Sequence, residues 1–463
     1  VILEQHYLAC LSHASYFLAD EASGIAAVVD PQRDVDVYLE RAARARCTIR
    51  YVLLTHFHAD FVAGHLELAQ RTGARICMGA RARADFDFEP LADGASLALG
   101  GVRIVALATP GHTPEAISLL VYAPGEADPR AVLTGDTLFV GDVGRPDLAA
   151  SAGYGAEELA GQLYDSLHAK LLPLPDATLV YPAHGAGSMC GKNLGKETSS
   201  TIGVQRRMNA ALRERSRADF VRMATSDLPS APAYFARDAQ LNRSLRPTLD
   251  EVLERALVPL SAQRVRELVS SGAQLLDARE PDAFAAGHWP GAWNIGLSGR
   301  YASWAAQLLD PARPIALIAP AGREREAALR LARVGLDHVV GYLDASAPQS
   351  EAPLARGNAR HEPAQLAAQL AAHPDAVLVV DVREAGERRE ARIPGSVHAP
   401  LSAFESGLPD LPRDRALVLQ CAGGYRSMIA LSALERGGFD ASRLSDLRGG
   451  FAAWKAAGAP IEG

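Results

Sequence analysis

The 463-residue chain is 48% hydrophobic and 22% charged, the balance of an ordinary globular protein, which excludes long disorder, collagen and coiled coil. Forty-seven basic against 54 acidic residues give a net charge of −7, too mild to argue for nucleic acid or an anionic membrane as a partner. The five cysteines, at 10, 47, 77, 190 and 421, are too sparse and scattered for a disulfide framework and point to a reducing compartment.

At about 150 residues per domain the length predicts three domains. Stretches 226–247 and 346–363 are rich in Pro, Ser and Ala, lack apolar periodicity and are expected as linkers. The domains expected are then 1–245, 255–346 and 358–463. No apolar run reaches the roughly 18 residues of a membrane span. The first residues also lack a basic-then-apolar signal pattern, so a cytoplasmic location is expected.

In the first domain, short apolar runs at 51–54, 102–107, 131–133 and 178–180 are predicted strands. Each ends just before a polar cluster: Thr55-His56-Phe57-His58-Ala59-Asp60, Thr109-Pro110-Gly111-His112, Thr134-Gly135-Asp136 and Pro182-Ala183-His184. Imidazole and carboxylate together are the ligands of zinc or non-haem iron. One such histidine is ordinarily a surface or hydrogen-bonding residue, but four clusters behind four strands point to a metal site. His13 and His65 carry no such signal, and Cys10, Cys47 and Cys77 lie in or beside apolar stretches, where buried packing residues are expected.

Over about residues 1–240 these motifs resemble the metallo-β-lactamase superfamily, whose H-x-H-x-D-H signature departs here at Phe61, in place of its last histidine. That histidine serves a second metal in the family, and phenylalanine offers no lone pair, so one metal is expected. Within the superfamily the resemblance is to persulfide dioxygenases. It implies one Fe(II) per chain held by His56, His112 and Asp136, with His58, Asp60 and His184 orienting ligands or substrate. The substrates implied are a low-molecular-weight thiol persulfide and O2, with sulfite as product. Arg145, in Gly144-Arg145-Pro146-Asp147, matches an arginine that anchors the thiol substrate; the alternative is a solvated surface arginine. Glycines follow His184 where glutathione-using relatives carry an aromatic residue, which argues against glutathione as the carrier. Cys190, six residues past His184, is a candidate sulfur relay or an inert loop residue.

The last two domains repeat each other. Asp277/Asp381, Arg279/Arg383, Glu280/Glu384, Pro290/Pro394 and Gly291/Gly395 coincide at an offset of 104, the mark of a tandem duplication. Strands such as 377–380 and 416–419 alternate with helical stretches such as 427–436, so parallel α/β sheets are expected. The run 416–420 stops at Cys421-Ala422-Gly423-Gly424-Tyr425-Arg426-Ser427, and a helical pattern follows at once. A cysteine there faces backbone N–H groups and a helix N-terminus, and Arg426 adds positive charge; all three favour a thiolate and then a persulfide. This motif, with Asp381-x-Arg383-Glu384 and Leu447-Arg448-Gly449-Gly450-Phe451, resembles a rhodanese (sulfurtransferase) domain. The resemblance implies Cys421 as nucleophile, Arg426 beside it, and Ala422, Gly423, Gly424, Tyr425 and Ser427 as the persulfide cradle. In the first copy Pro320 stands opposite Cys421 and Arg325 opposite Arg426; proline brings no nucleophile and removes an N–H from the cradle.

The fold class expected is therefore α/β: an αββα metallo-β-lactamase-type sandwich followed by two parallel-sheet rhodanese-like domains, the first inactive. The activity expected is persulfide oxidation coupled to sulfur transfer that makes or uses thiosulfate. The alternative is a zinc thioesterase-like hydrolase with His56, His58 and His112 as ligands. No nucleic acid or membrane partner is expected, and the sequence leaves open whether the chain forms a homo-oligomer.

Overall fold

The computed structural model describes residues 1–192, 194–213, 216–228, 230–344 and 357–463. The chain divides into two compact units, Val1–Leu249 with Ala332–Gly335, and Asp250–Leu331 with Leu336–Gly463. Both repeat copies, expected as separate domains, lie in the second unit. Of the expected linker 346–363, residues 346–356 lie outside the described residues. Among the described residues no helix is long and apolar enough to cross a membrane.

The first unit is built on two six-stranded sheets. Strands β1 (Ile2–Leu8), β2 (His13–Asp20), β3 (Ile25–Val29), β4 (Thr48–Leu53), β5 (Arg75–Gly79) and β6 (Glu89–Leu91) form the first, in that spatial order. Strands β7 (Ser96–Leu99), β8 (Val102–Ala108), β9 (Ile117–Tyr122), β10 (Ala131–Gly135), β11 (Leu179–Pro182) and β12 (Ser200–Thr201) form the second. Side chains alternate across a strand, so apolar runs can serve two interfaces at once. From β2, Ala14, Tyr16 and Leu18 enter the core between the sheets, where Leu97, Ile104, Leu119 and Leu133 also sit. Phe17 and Ala19 face the other way, against Tyr38 and Ala42 of the helix Asp36–Ala45. Val132 of β10 likewise turns outward to Ala160 and Leu163 of the helix Ala156–Ser166. The result is the expected αββα sandwich.

The stretch 226–247 proves to be more than a linker. It contains the helix Tyr234–Arg243, with Tyr234, Phe235, Asp238 and Asn242 buried. Asn242 Nδ2 donates to the carbonyl oxygens of His58 and Phe61, both at 2.8 Å, and its Oδ1 accepts from Ala63 N–H at 2.8 Å. Its amide satisfies three backbone groups of the loop after β4, groups that burial would otherwise leave unpaired. The helix is short and mostly polar, so no apolar stripe announced it.

In the second unit, β13 (Gln274–Asp277), β14 (Trp293–Asn294), β15 (Ile315–Ala319) and β16 (Val339–Asp344) run in the order β14-β13-β15-β16, all parallel. The second copy adds β17 (Ala359–His361), β18 (Leu378–Asp381), β19 (Val397–His398), β20 (Leu417–Gln420) and β21 (Leu444–Leu447), again all parallel, in the order β17-β21-β20-β18-β19. The repeated Asp-x-Arg element is architectural in both. Arg279 and Arg383 each grip the aspartate two residues back, and each bonds the carbonyl at the end of the following short helix, Gly287 and Ala391 respectively.

Candidate metal centre and cysteine loop

The four strands β4, β8, β10 and β11 deliver the four polar clusters to one end of the sandwich. His56, His112 and Asp136 bring ligand atoms within 4.8 Å of one another, and all three are buried. His112 Nε2 lies 3.4 Å, and His56 Nε2 3.7 Å, from Asp136 Oδ2. Among the described residues, neither His56 Nε2 nor either Asp136 oxygen has a hydrogen-bond partner, although the Cys190 thiol lies beside the carboxylate. Buried polar atoms are rarely left so, and three converging ones fit a cation.

The ring nitrogens facing away from this point are fixed. Thr55 Oγ1 gives its proton to Asp30 Oδ2 at 2.8 Å, so it accepts from Nδ1 of His56 at 3.0 Å. His112 Nδ1 donates to the Arg145 carbonyl at 2.8 Å. Both imidazoles therefore present a bare Nε2 inward, the tautomer a metal requires. Burial supports this, holding His112 down to about 4 and His56 well below the usual imidazole range, with the neighbouring His58 adding to the latter. Burial also pushes the Asp136 carboxyl up to about 6, against the lowering pull of His184 and His58. Gly144 supplies close approach: a Cβ there would strike the Asp136 carbonyl oxygen and crowd His112.

His58, Asp60 and His184 form a second group, their ligand atoms also within 4.8 Å. His58 Nε2 sits 3.1 Å from Asp30 Oδ1, and although burial opposes its charge, that carboxylate raises its pKa overall. His184 Nδ1 is 3.4 Å from Asp60 Oδ2 and its Nε2 3.7 Å from Asp136 Oδ1. Phe61 fills the neighbouring volume, its ring 4.5 Å from that of His58 and 3.9 Å from that of His13. His13 is fully buried beside His58 and His184, a wall of this pocket that one histidine in a strand did not reveal.

Arg145 is buried and ion-paired. It is 2% exposed, so it is no surface arginine. Nor is its guanidinium freely offered: Nε and Nη2 bond the two Asp147 oxygens, each at 2.7 Å, because the turn brings residues two apart together. Cys190 is buried and groups with Asp136 and His184, and burial together with the Asp60 and Asp136 carboxylates raises its thiol well above the ordinary range. Cys77 is buried as expected, whereas Cys10 and Cys47 are only half-buried, since each lies next to a surface turn.

In the second unit, Cys421 follows β20 and is 1% exposed. Gly424 N–H donates to its Sγ at 3.1 Å, and the Ser427 hydroxyl lies 3.7 Å from the sulfur. Ser427 Oγ also bonds Asp446 Oδ2 at 3.1 Å, and Asp446 is gripped by Arg360 through two 2.8 Å bonds. Phe451 N–H holds the Cys421 carbonyl at 2.7 Å, a closeness possible because Gly450 carries no Cβ to strike that oxygen. Arg426 opens the helix Arg426–Arg436 and pairs bidentately with Glu387 at 2.7 and 2.8 Å. Of the expected cradle, Gly424 and Ser427 reach the sulfur directly; Ala422 gives its carbonyl to Ala452 N–H, and Gly423 is exposed. In the first copy Pro320 follows β15 at the corresponding place.

Two family models match the sequence, the metallo-beta-lactamase superfamily over residues 8–184 and the rhodanese-like domain over 261–349 and 362–457. A cytoplasmic hydroxyacylglutathione hydrolase of Arabidopsis thaliana is 31% identical over 257 residues, covering 54% of this chain and 90% of that protein. This chain belongs to the metallo-β-lactamase superfamily. The mitochondrial persulfide dioxygenase ETHE1 of Bos taurus is 30% identical over 220 residues, 46% of this chain and 76% of that one. A crystal structure of a metallo-beta-lactamase from Staphylococcus aureus subsp. aureus COL superposes with a TM-score of 0.66 at 29% identity, covering 74% of this chain and 98% of that one. The architecture is thus an N-terminal metallo-β-lactamase domain followed by two rhodanese-like domains, and the chain is an enzyme of that fused kind. Asn242, Asp30 and His13 of the metallo-β-lactamase domain, and Arg360, Asp446 and Glu387 of the second rhodanese copy, are functional neighbours that the motifs did not single out. Each comes from a different element than the residue it supports, and single-sequence spacing carries no signal for that.

Proposed function

We propose that the metallo-β-lactamase domain is a mononuclear Fe(II) persulfide dioxygenase and that the second rhodanese copy is a sulfurtransferase acting through a Cys421 persulfide. The observation that carries the reading is the convergence of His56, His112 and Asp136 ligand atoms, with no hydrogen-bond partner for His56 Nε2 among the described residues, beside a Phe61 that cannot ligate. The name of the Bos taurus relative supports it at the level of similarity.

Iron held by His56, His112 and Asp136 would supply the redox chemistry that lets O2 oxidise the persulfide sulfur. The balanced reaction is RSSH + O2 + H2O giving RSH and sulfurous acid, which ionises to sulfite. Around the centre, Thr55 and the Arg145 carbonyl keep the two imidazoles in the ligating tautomer. His58, Asp60 and His184 line the side where a substrate proton would be held, and Phe61 and His13 exclude water there. Arg145 is the assigned contact for the anionic part of the thiol carrier, sharing its charge with Asp147. Cys190, buried against Asp136 and His184, is a candidate thiol for sulfur relay.

At Cys421, thiolate attack on the outer sulfur of thiosulfate breaks the S–S bond, leaves a Cys421 persulfide and releases sulfite. The reverse reaction builds thiosulfate from that persulfide and sulfite. Gly424 N–H and the helix N-terminus stabilise the anionic sulfur in either direction. The pairing of the two activities suits disposal of sulfide-derived sulfur.

A second reading, a zinc hydrolase like the Arabidopsis thaliana relative, is favoured by one observation: His58, Asp60 and His184 also group their ligand atoms. Anaerobically purified protein separates the two. About one iron per chain, with oxygen uptake on adding a persulfide, supports the first reading. Two tightly bound zinc ions with thioester hydrolysis would sink it.

A further inference from the structure

The rhodanese copy that lacks a nucleophile bonds to the loop of the copy that has one. Tyr425, in the middle of the Cys421–Ser427 loop, donates its hydroxyl to the carbonyl oxygen of Gly296 at 2.8 Å. Gly299, three residues on in the first copy, lies so close that a Cβ would run into the Tyr425 ring. Burial pushes the Tyr425 phenol well above its ordinary range, so the hydroxyl keeps its proton and stays a donor.

A second connection runs behind the loop. Asp282 of the first copy accepts from Arg360 Nη1 at 2.8 Å. The other guanidinium nitrogens of Arg360 hold both Asp446 oxygens at 2.8 Å and reach the Gly424 carbonyl at 3.3 Å. Asp446 in turn bonds Ser427, and Gly424 N–H is the donor to the Cys421 sulfur. The two lines meet at adjacent residues, Gly424 and Tyr425. The same copy also docks along the helix that follows the loop: His288 Nε2 is 3.0 Å from Glu435 Oε2, and Asn294 N–H donates to Ser432 Oγ at 3.0 Å. A spacer would need none of these contacts at the loop itself.

We propose that the first rhodanese copy is a positioning element for the persulfide loop, with Gly296 and Gly299 seating Tyr425 and Asp282 fixing Arg360, so that the Gly424 N–H stays aimed at the Cys421 sulfur. Tyr425 and Arg360 are its positioning residues. The inference rests on the reading of Cys421 as the sulfur carrier.

The test uses the full chain. Tyr425→Phe keeps the ring and removes the donor; Gly299→Ala, in the first copy, displaces the ring. Asp282→Asn removes the charge that faces Arg360, and Asp282→Glu returns a carboxylate. Two quantities are read: the pH dependence of Cys421 alkylation by iodoacetamide, followed on its peptide by mass spectrometry, and kcat and KM for thiosulfate-to-cyanide transfer. Loss of one aimed hydrogen bond should lower kcat about fivefold, leave KM nearly unchanged and move the alkylation midpoint to higher pH. Tyr425→Phe and Gly299→Ala should combine to less than the product of their separate effects, since both act on one contact. Asp282→Glu should recover what Asp282→Asn loses. Wild-type kcat and alkylation profiles in all four variants would overturn the proposal and make the copy a spacer, as would a fall in kcat with the alkylation midpoint unmoved. Transfer surviving in Cys421→Ser is the separate result that removes the sulfurtransferase reading beneath it.

Discussion

His112 and Arg145 are tied together by a 2.8 Å hydrogen bond from the imidazole Nδ1 to the arginine carbonyl, while the Arg145 side chain turns to Asp147. One residue thus fixes a metal ligand through its backbone and carries a buried charge through its side chain. The two roles come apart in Arg145→Lys. Lysine leaves the backbone bond possible, keeps the charge and loses the two-pronged geometry. We expect metal content near the wild-type level, and a KM for the persulfide raised severalfold with a smaller change in kcat. Metal loss in this variant would instead assign the side chain to holding the His112 loop in place.

Phe61 is 1% exposed and packs on His58 and His13, next to Asp60 and His184. Phe61→His would add an imidazole to a pocket that already groups His58, Asp60 and His184. Metal per chain, measured by mass spectrometry of the native protein, should rise from about one toward two in the presence of zinc. The variant should also lose stability, by about 1–3 kcal/mol in the metal-free form, because a buried polar ring replaces an apolar one. Unchanged stoichiometry would mean that more than Phe61 keeps a second ion out.

How much of this was legible beforehand differs between the two halves of each site. Strand ends announce themselves: apolar runs stop where polar clusters begin, and the C-terminal ends of β4, β8, β10 and β11 lie within a residue or two of their predicted positions. The choice of His56, His112 and Asp136 among the polar clusters follows from the family resemblance, whereas the four clusters themselves follow from that pattern because each comes within a few residues of such an end. Asn242 and Asp30 do not, since a buried amide on a polar helix and an aspartate after a strand look like surface residues until the fold folds them inward. Arg145 shows the converse limit. Its motif is visible, but its burial and its pairing with Asp147 depend on how one turn packs. Asp446 and Arg360 reach the Cys421 loop from two other strands of the same sheet, a proximity set by strand order rather than by spacing.

Glu387 pairs with Arg426 at the mouth of the cysteine loop, and that guanidinium's hydrogen bonds hold the Glu387 carboxyl below the usual glutamate value of 4.5. A carboxylate whose folded pKa is lowered contributes stability in full above the unfolded value and loses it as pH falls through the folded one. Stability of wild type minus that of Glu387→Gln should therefore be constant from about pH 5 to 8 and shrink below about pH 4. Because the pair is partly exposed, the plateau should be small, and salt should reduce it. A difference that grew on acidification would reverse the sign and remove the ion pair as its cause.

The last prediction separates the two chemistries. Cys421 is the cysteine whose sulfur accepts a backbone N–H at the start of a helix, and Arg426 stands at the same helix end. Cys421→Ser keeps the loop's shape, since serine can accept the same Gly424 N–H, yet its hydroxyl is not ionised near neutral pH and forms no persulfide. Thiosulfate-dependent transfer should fall by at least about a thousandfold, while oxygen uptake with an added persulfide persists and sulfite becomes its end product. Pro320→Ala should leave both activities unchanged, because no nucleophile is lost there. Wild-type protein incubated with thiosulfate should gain one sulfur, about 32 Da, on the peptide containing Cys421, since attack on the outer sulfur forms the new S–S bond there. Sulfur found on Cys190 alone would make the buried thiol beside Asp136 the carrier and leave the rhodanese loop without a function.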